Sequence, residues 1–111
     1  MSPITTHVLD TARGRPAEGV EVSLEYSADG SWKGLAKGIT DKDGRVGGLL
    51  PPGPLDRGLY RLTFDTGPYF KAAKVPAFFP RVEIVFEVSE DRHHHVPLLL
   101  SPFGYSTYRG S

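Results

Sequence analysis

The chain has no cysteine in its 111 residues, which removes disulfides, thiolate nucleophiles and cysteine metal ligands together and suits a reducing compartment. It has no net charge either. Its 13 lysines and arginines balance 13 aspartates and glutamates, so no bulk field draws it to nucleic acid or an anionic membrane. No apolar run approaches about 20 residues and no basic, apolar leader follows Met1, so neither membrane spanning nor secretion is encoded. The cytoplasm is the expected compartment. There is no glycine-rich phosphate loop, no nucleophile-elbow serine, no internal repeat and no low-complexity tract; the glycines punctuate turns.

What is present reads as one domain over residues 1–111, long enough to bury roughly two-thirds of the surface its unfolded form exposes. Val20 to Tyr26, Tyr60 to Phe64 and Val82 to Val88 alternate apolar and polar residues, the period of half-buried strands. Thr5 to Asp10 is a shorter β-prone run that carries His7, and Trp32 to Thr40 is a looser one weakened by Gly34 and Gly38. Asp29-Gly30 and Asp41-Lys42-Asp43-Gly44 mark turns, the second placing Arg45 just beyond a fixed backbone. Thr66 as a cap, Pro68 in a first turn and lysines at 71 and 74 predict one short helix, ended by Val75-Pro76. About eight short strands with a single helix predict an all-β sandwich, because a parallel sheet would need repeated crossover helices.

The residues able to do chemistry gather near the end of the chain. An extended segment puts His93 and His95 on one face and His94 on the other, leading into the apolar run Val96 to Leu100. Taken alone, three consecutive histidines read as a solvated strand end and His7 as a surface residue. A three-histidine zinc set ranks low, since no acidic or cysteine partner accompanies it, and no metal is expected. Arg45 carries a planar fork of donors suited to a carbonyl or a developing oxyanion, although a lone arginine after a turn is ordinarily just solvated. Tyr108 offers a phenol and Ser111 a hydroxyl beside the terminal carboxylate. Trp32, Phe64, Phe70 and Phe86 read as core.

The terminus Tyr108-Arg109-Gly110-Ser111, preceded by His95-Val96-Pro97-Leu98-Leu99-Leu100-Ser101-Pro102, closely resembles the signature of the 5-hydroxyisourate hydrolases, the transthyretin-related enzymes of urate breakdown. Thr6 to Thr11, Gly14, Pro16-Ala17, the turn Thr40 to Arg45, Tyr69-Phe70 and Phe78-Phe79-Pro80 match the same pattern, so the resemblance covers nearly the whole chain. It implies a transthyretin-like, eight-stranded β-sandwich with one short α-helix, assembled as a homotetramer, a dimer of dimers with active sites at the dimer-dimer interface. It implies hydrolytic opening of 5-hydroxyisourate without a cofactor. His7, Arg45, His95 and Ser111 would be catalytic, with Tyr108, Arg109 and Gly110 joining His7 and Arg45 in holding the substrate. The one visible departure is His94, where tyrosine is frequent in the family. Transthyretin itself, the hormone carrier of this fold, lacks the terminal tetrapeptide and the histidine and arginine set, which ranks a non-catalytic carrier second. A prealbumin-like structural module ranks third, because such a module normally belongs to a longer extracellular chain.

Overall fold

The computed structural model describes residues 1–111. In chain order its elements are β1 (Ile4–Thr5), β2 (Val8–Asp10), β3 (Arg15–Pro16), β4 (Glu21–Ser27), β5 (Lys33–Ile39), β6 (Gly58–Asp65), α1 (Thr66–Ala72), β7 (Val82–Val88), β8 (His94–His95), β9 (Leu98–Ser101) and β10 (Gly104–Thr107). The strands form two four-stranded sheets, ordered β5-β4-β6-β7 and β10-β9-β2-β3, and β1 and β8 make a separate pair. Alternation decides the inner face. Val22 and Leu24 from β4, Leu62 and Phe64 from β6, Val82 and Ile84 from β7, and Val8, Leu98 and Leu100 from the other sheet meet in one buried core. Each such side chain contributes about 1.5–3 kcal/mol of transfer free energy.

Two features depart from a plain antiparallel sandwich. The first and last parts of the chain pair in parallel: Ile4 and Thr5 lie opposite His94 and His95, and Val8 to Asp10 opposite Leu98 to Leu100. No crossover helix is required, because the whole intervening sandwich forms the connection. Two expected strands are also interrupted, at Thr6-His7 and at Val96-Pro97. Pro97 has no N–H to donate, so the ladder breaks there and resumes where the Leu98 N–H donates to the His7 carbonyl at 2.9 Å. The interruption leaves His7 between strands rather than within one.

The helix forms where expected but starts differently. Asp65 occupies the cap position without a side-chain cap bond, and Thr66 is the first helical residue, its hydroxyl donating to the Phe79 carbonyl at 3.1 Å. Tyr69 anchors the helix to the other sheet: its hydroxyl donates at 2.7 Å to Oδ2 of the buried Asp10, whose Oδ1 accepts from the N–H groups of Ala12 and Arg13. Phe64 and Phe70 are core residues, as their pattern predicts, and Phe86 packs against the core half-buried. Trp32 is not in the core. It lies at the outer surface with the Arg61 guanidinium 4.4 Å from its ring centre, because the strand after it is an edge strand exposed along most of its length. No helix is long and apolar enough to cross a membrane.

Candidate active site

The turn after β5 is built by its aspartates. The Asp41 carboxylate accepts from the N–H groups of Asp43 at 2.8 Å and Arg45 at 3.1 Å, and the Gly44 N–H donates to the Asp41 carbonyl at 2.9 Å. The Arg45 N–H holds the Asp41 carboxyl below the usual carboxylate range, and the Asp43 N–H adds to this. Gly44 has a positive φ of 78°, and a Cβ there would press on the Val8 carbonyl, the Pro16 side chain and the His7 ring. Only glycine lets this turn lie flat against β2. The consequence is a short antiparallel bridge between His7 and Arg45, residues 38 positions apart brought side by side.

The same turn fixes the His7 ring. Its Nε2 lies 2.7 Å from the Asp43 carbonyl. A carbonyl oxygen only accepts, so Nε2 carries the hydrogen and Nδ1 of the neutral ring is left with a lone pair. His95 belongs to β8, opposite Thr5, and is half-buried. Its Nδ1 lies 2.8 Å from the Thr5 hydroxyl, leaving Nε2 as its unengaged nitrogen. Burial lowers the His95 pKa below the ordinary histidine value, and the charges of Arg45, His93 and His7 push it further the same way. Arg45, His93 and His7 thus act with burial to favour the neutral form of His95.

The terminal tetrapeptide reaches this cluster through its backbone. The Gly110 N–H donates to the His95 carbonyl at 2.8 Å, a bridge that holds the last residues beside β8. A Cβ on Gly110 would fall 2.5 Å from His95 Cδ2, so the motif's glycine is the residue whose missing side chain makes room for the imidazole. Gly110→Ala is expected to displace the ring or the terminus and lower kcat by about 100-fold, the scale of an ångström-sized misplacement. The thermal midpoint should stay near that of the wild type; kinetics and a melt on the same sample check both.

Not every expected residue converges. Tyr108 and Arg109 are exposed and line a cavity of about 250 Å³ between the terminus and β7, which His95 also borders but His7 and Arg45 do not. Arg109 stands 3.7 Å from Glu90, and Ser111 is exposed at the end of the chain. His94 turns to the opposite face, where it is buried with Nδ1–H donating to the Arg92 carbonyl at 2.7 Å, so its part is structural. Thr5 and His93, with Asp41 and Asp43, join the site as hydrogen-bond partners, and of these the sequence singles out only His93. The signal for the first two was the matching period of Thr5-Thr6-His7 and His93-His94-His95, which puts a hydroxyl and two imidazoles on one face once the strands pair.

Two sheets of this order, with paired imidazoles, an arginine on an Asp-Gly turn and a terminus folded onto the second histidine, define a transthyretin-like β-sandwich equipped with acid-base groups. Residues 4–110 match the model of the HIUase/Transthyretin family. A 5-hydroxyisourate hydrolase of Salmonella typhimurium is 49% identical over 109 residues, covering 97% of this chain and 80% of the relative. The solved 5-hydroxyisourate hydrolase of Klebsiella pneumoniae is 41% identical, with a TM-score of 0.84 over 97% of this chain and 98% of its own. Sea bream transthyretin in complex with thyroxine is 34% identical, with a TM-score of 0.90 over 98% and 95% of the two chains. The chain belongs to the HIUase/Transthyretin family. Backbone shape does not separate the two kinds of relative, since the transthyretin superposes at least as well as the hydrolase.

Proposed function

We propose that this chain is a 5-hydroxyisourate hydrolase of urate degradation, opening the six-membered ring to 2-oxo-4-hydroxy-4-carboxy-5-ureidoimidazoline. The observation that carries the reading is the backbone docking of Gly110, within the Tyr108 to Ser111 motif, onto His95, in a chain where His7 and Arg45 form a bridge of their own and both act electrostatically on that histidine. The kinship with named hydrolases supports the same substrate. His95, neutral and with Nε2 unengaged, takes a proton from the attacking water, and His7 orients that water through Nδ1. Arg45 stabilises the charge growing on the ring carbonyl oxygen, where a positioned donor counts for more than it would in water. Tyr108, Arg109 and Gly110 hold the ring, and Ser111 fixes the water. No cofactor enters this reaction. The working unit is residues 1–111 as one domain, in a cytoplasmic homotetramer whose dimer-dimer interface closes over the sites.

The test is to generate 5-hydroxyisourate freshly from urate with urate oxidase and follow its ultraviolet absorbance. The wild type is expected to accelerate the decay, and Arg45→Ala to lose about 10²- to 10³-fold in kcat, the scale of one oxyanion donor. Decay at the spontaneous rate with the wild type overturns the hydrolase reading and leaves a sandwich that binds without reacting.

A further inference from the structure

The Thr5 hydroxyl lies 2.8 Å from His93 Nε2 and 2.8 Å from His95 Nδ1, and the two rings are nearly parallel with centres 6.4 Å apart. A hydroxyl has one hydrogen to give. It donates to one ring and accepts from the other, so in the neutral pair one of these two facing nitrogens carries a hydrogen and the other does not. The hydrogen positions on the two histidines are therefore coupled through Thr5, and one end of the coupled unit is exposed while the other borders the reacting site.

We propose that Thr5 and His93 form a proton relay that moves the positive charge generated at His95 during water attack out to the solvent-exposed imidazole of His93. The proposal rests on the hydrolase reading above. In the attack step a water O–H bond breaks, its oxygen bonds to the ring carbonyl carbon as the carbonyl π pair moves onto the carbonyl oxygen, and the water proton goes to His95 Nε2. The Nδ1–H proton of His95 then passes to Thr5 Oγ1, and the hydroxyl's own proton passes to His93 Nε2. In the ring-opening step the oxyanion re-forms the C=O bond and the C–N bond breaks with its electron pair on nitrogen, which takes the proton from His95 Nε2. The relay runs back, His93 returning its proton to Thr5 and Thr5 one to His95 Nδ1. Water has been added across the C–N bond, no other reactant has been used, and the protein ends as it began.

Charge placement is the reason for such a device. An imidazolium at His95 would sit half-buried, and burial disfavours it, as do the charges of Arg45 on the Asp-Gly turn, of His93 and of His7 at the β1–β2 junction. His93 is the exposed ring of the pair in the chain. The charged groups on its own turn are largely satisfied: Glu90 faces Arg92 at 3.2 Å and Arg109 at 3.7 Å, and the Asp91 carboxylate accepts the Leu55 N–H.

Thr5→Val keeps the shape and removes the hydroxyl, Thr5→Ser restores it, and His93→Gln keeps polarity without basicity. Thr5→Val and His93→Gln are each expected to lower kcat about tenfold, less than loss of the base itself, with KM within about twofold. Thr5→Ser should recover most of the rate, and the double variant should be no slower than either single one, as for groups acting as a unit. Nitrogen-15 spectra without substrate, recorded over a pH series, should show the His95 Nδ1 and His93 Nε2 signals moving together in the wild type and independently in Thr5→Val. Wild-type kcat in Thr5→Val, a Thr5→Ser variant as slow as Thr5→Val, or losses that multiply in the double variant each overturn the relay. A wild type without turnover sinks the hydrolase reading itself, and the nitrogen-15 response then decides separately whether the two rings are coupled.

Discussion

His95→Asn is expected to lower kcat by about 10²- to 10⁴-fold while KM moves by no more than about twofold. Asparagine keeps a polar group near the position of Nδ1, and the β8 backbone that pairs with Thr5 and Gly110 is unchanged, so the site should still assemble and bind. What it loses is a group able to take a proton. The pH dependence follows from the same residue. Burial, then Arg45, His93 and His7, hold the His95 pKa below its ordinary value of 6.5. The neutral, proton-accepting form therefore prevails at pH 7, and kcat/KM should fall only as pH drops through that lowered value. The unfolded chain takes up this proton near the ordinary value and the folded chain only at lower pH. Its contribution to stability is therefore complete above the unfolded value and is lost as pH falls from there through the folded one. Wild-type rates that do not fall on acidification, or an asparagine variant that turns over normally, would remove His95 as the base.

Deleting Tyr108 to Ser111 is expected to abolish turnover while the sandwich still folds. In the folded chain these four residues make one backbone hydrogen bond to His95, contributing about 0.5–1.5 kcal/mol, and one long, exposed contact between Arg109 and Glu90 that contributes little. None of them belongs to the core. The thermal midpoint should drop by only a few degrees, on the scale of about 1 kcal/mol in a domain of this size. The catalytic loss is far larger, because the terminus seats against the imidazole, borders the adjacent cavity and supplies the proposed substrate contacts. Circular dichroism and the 5-hydroxyisourate assay on one preparation separate the two effects. A truncated protein that remains active refutes the role of the terminus, and one that no longer folds shows that the terminus is structural instead.

The sequence by itself determined the sandwich and its chemical inventory. Alternation in Val20 to Tyr26, Tyr60 to Phe64 and Val82 to Val88 sets which face is buried, and that pattern is local, readable from neighbours two residues apart. The Asp-Gly turn before Arg45 and the split of His94 from His93 and His95 are local in the same sense. Where the local reading missed, a distant partner had intervened. Thr66 gives its hydroxyl to Phe79 instead of capping the helix, and Trp32 stays outside because its strand forms an edge. Only the tertiary structure decided what lies against what across the chain. The parallel register of β1 on β8 places the Thr5 hydroxyl between two imidazoles about 90 residues away, and the bridge to Gly110 brings backbone against His95 Cδ2. The physical reason is that register between strands from opposite ends of a chain is set by the packing of the whole core, and a shift of one residue would send every one of these groups to the other face.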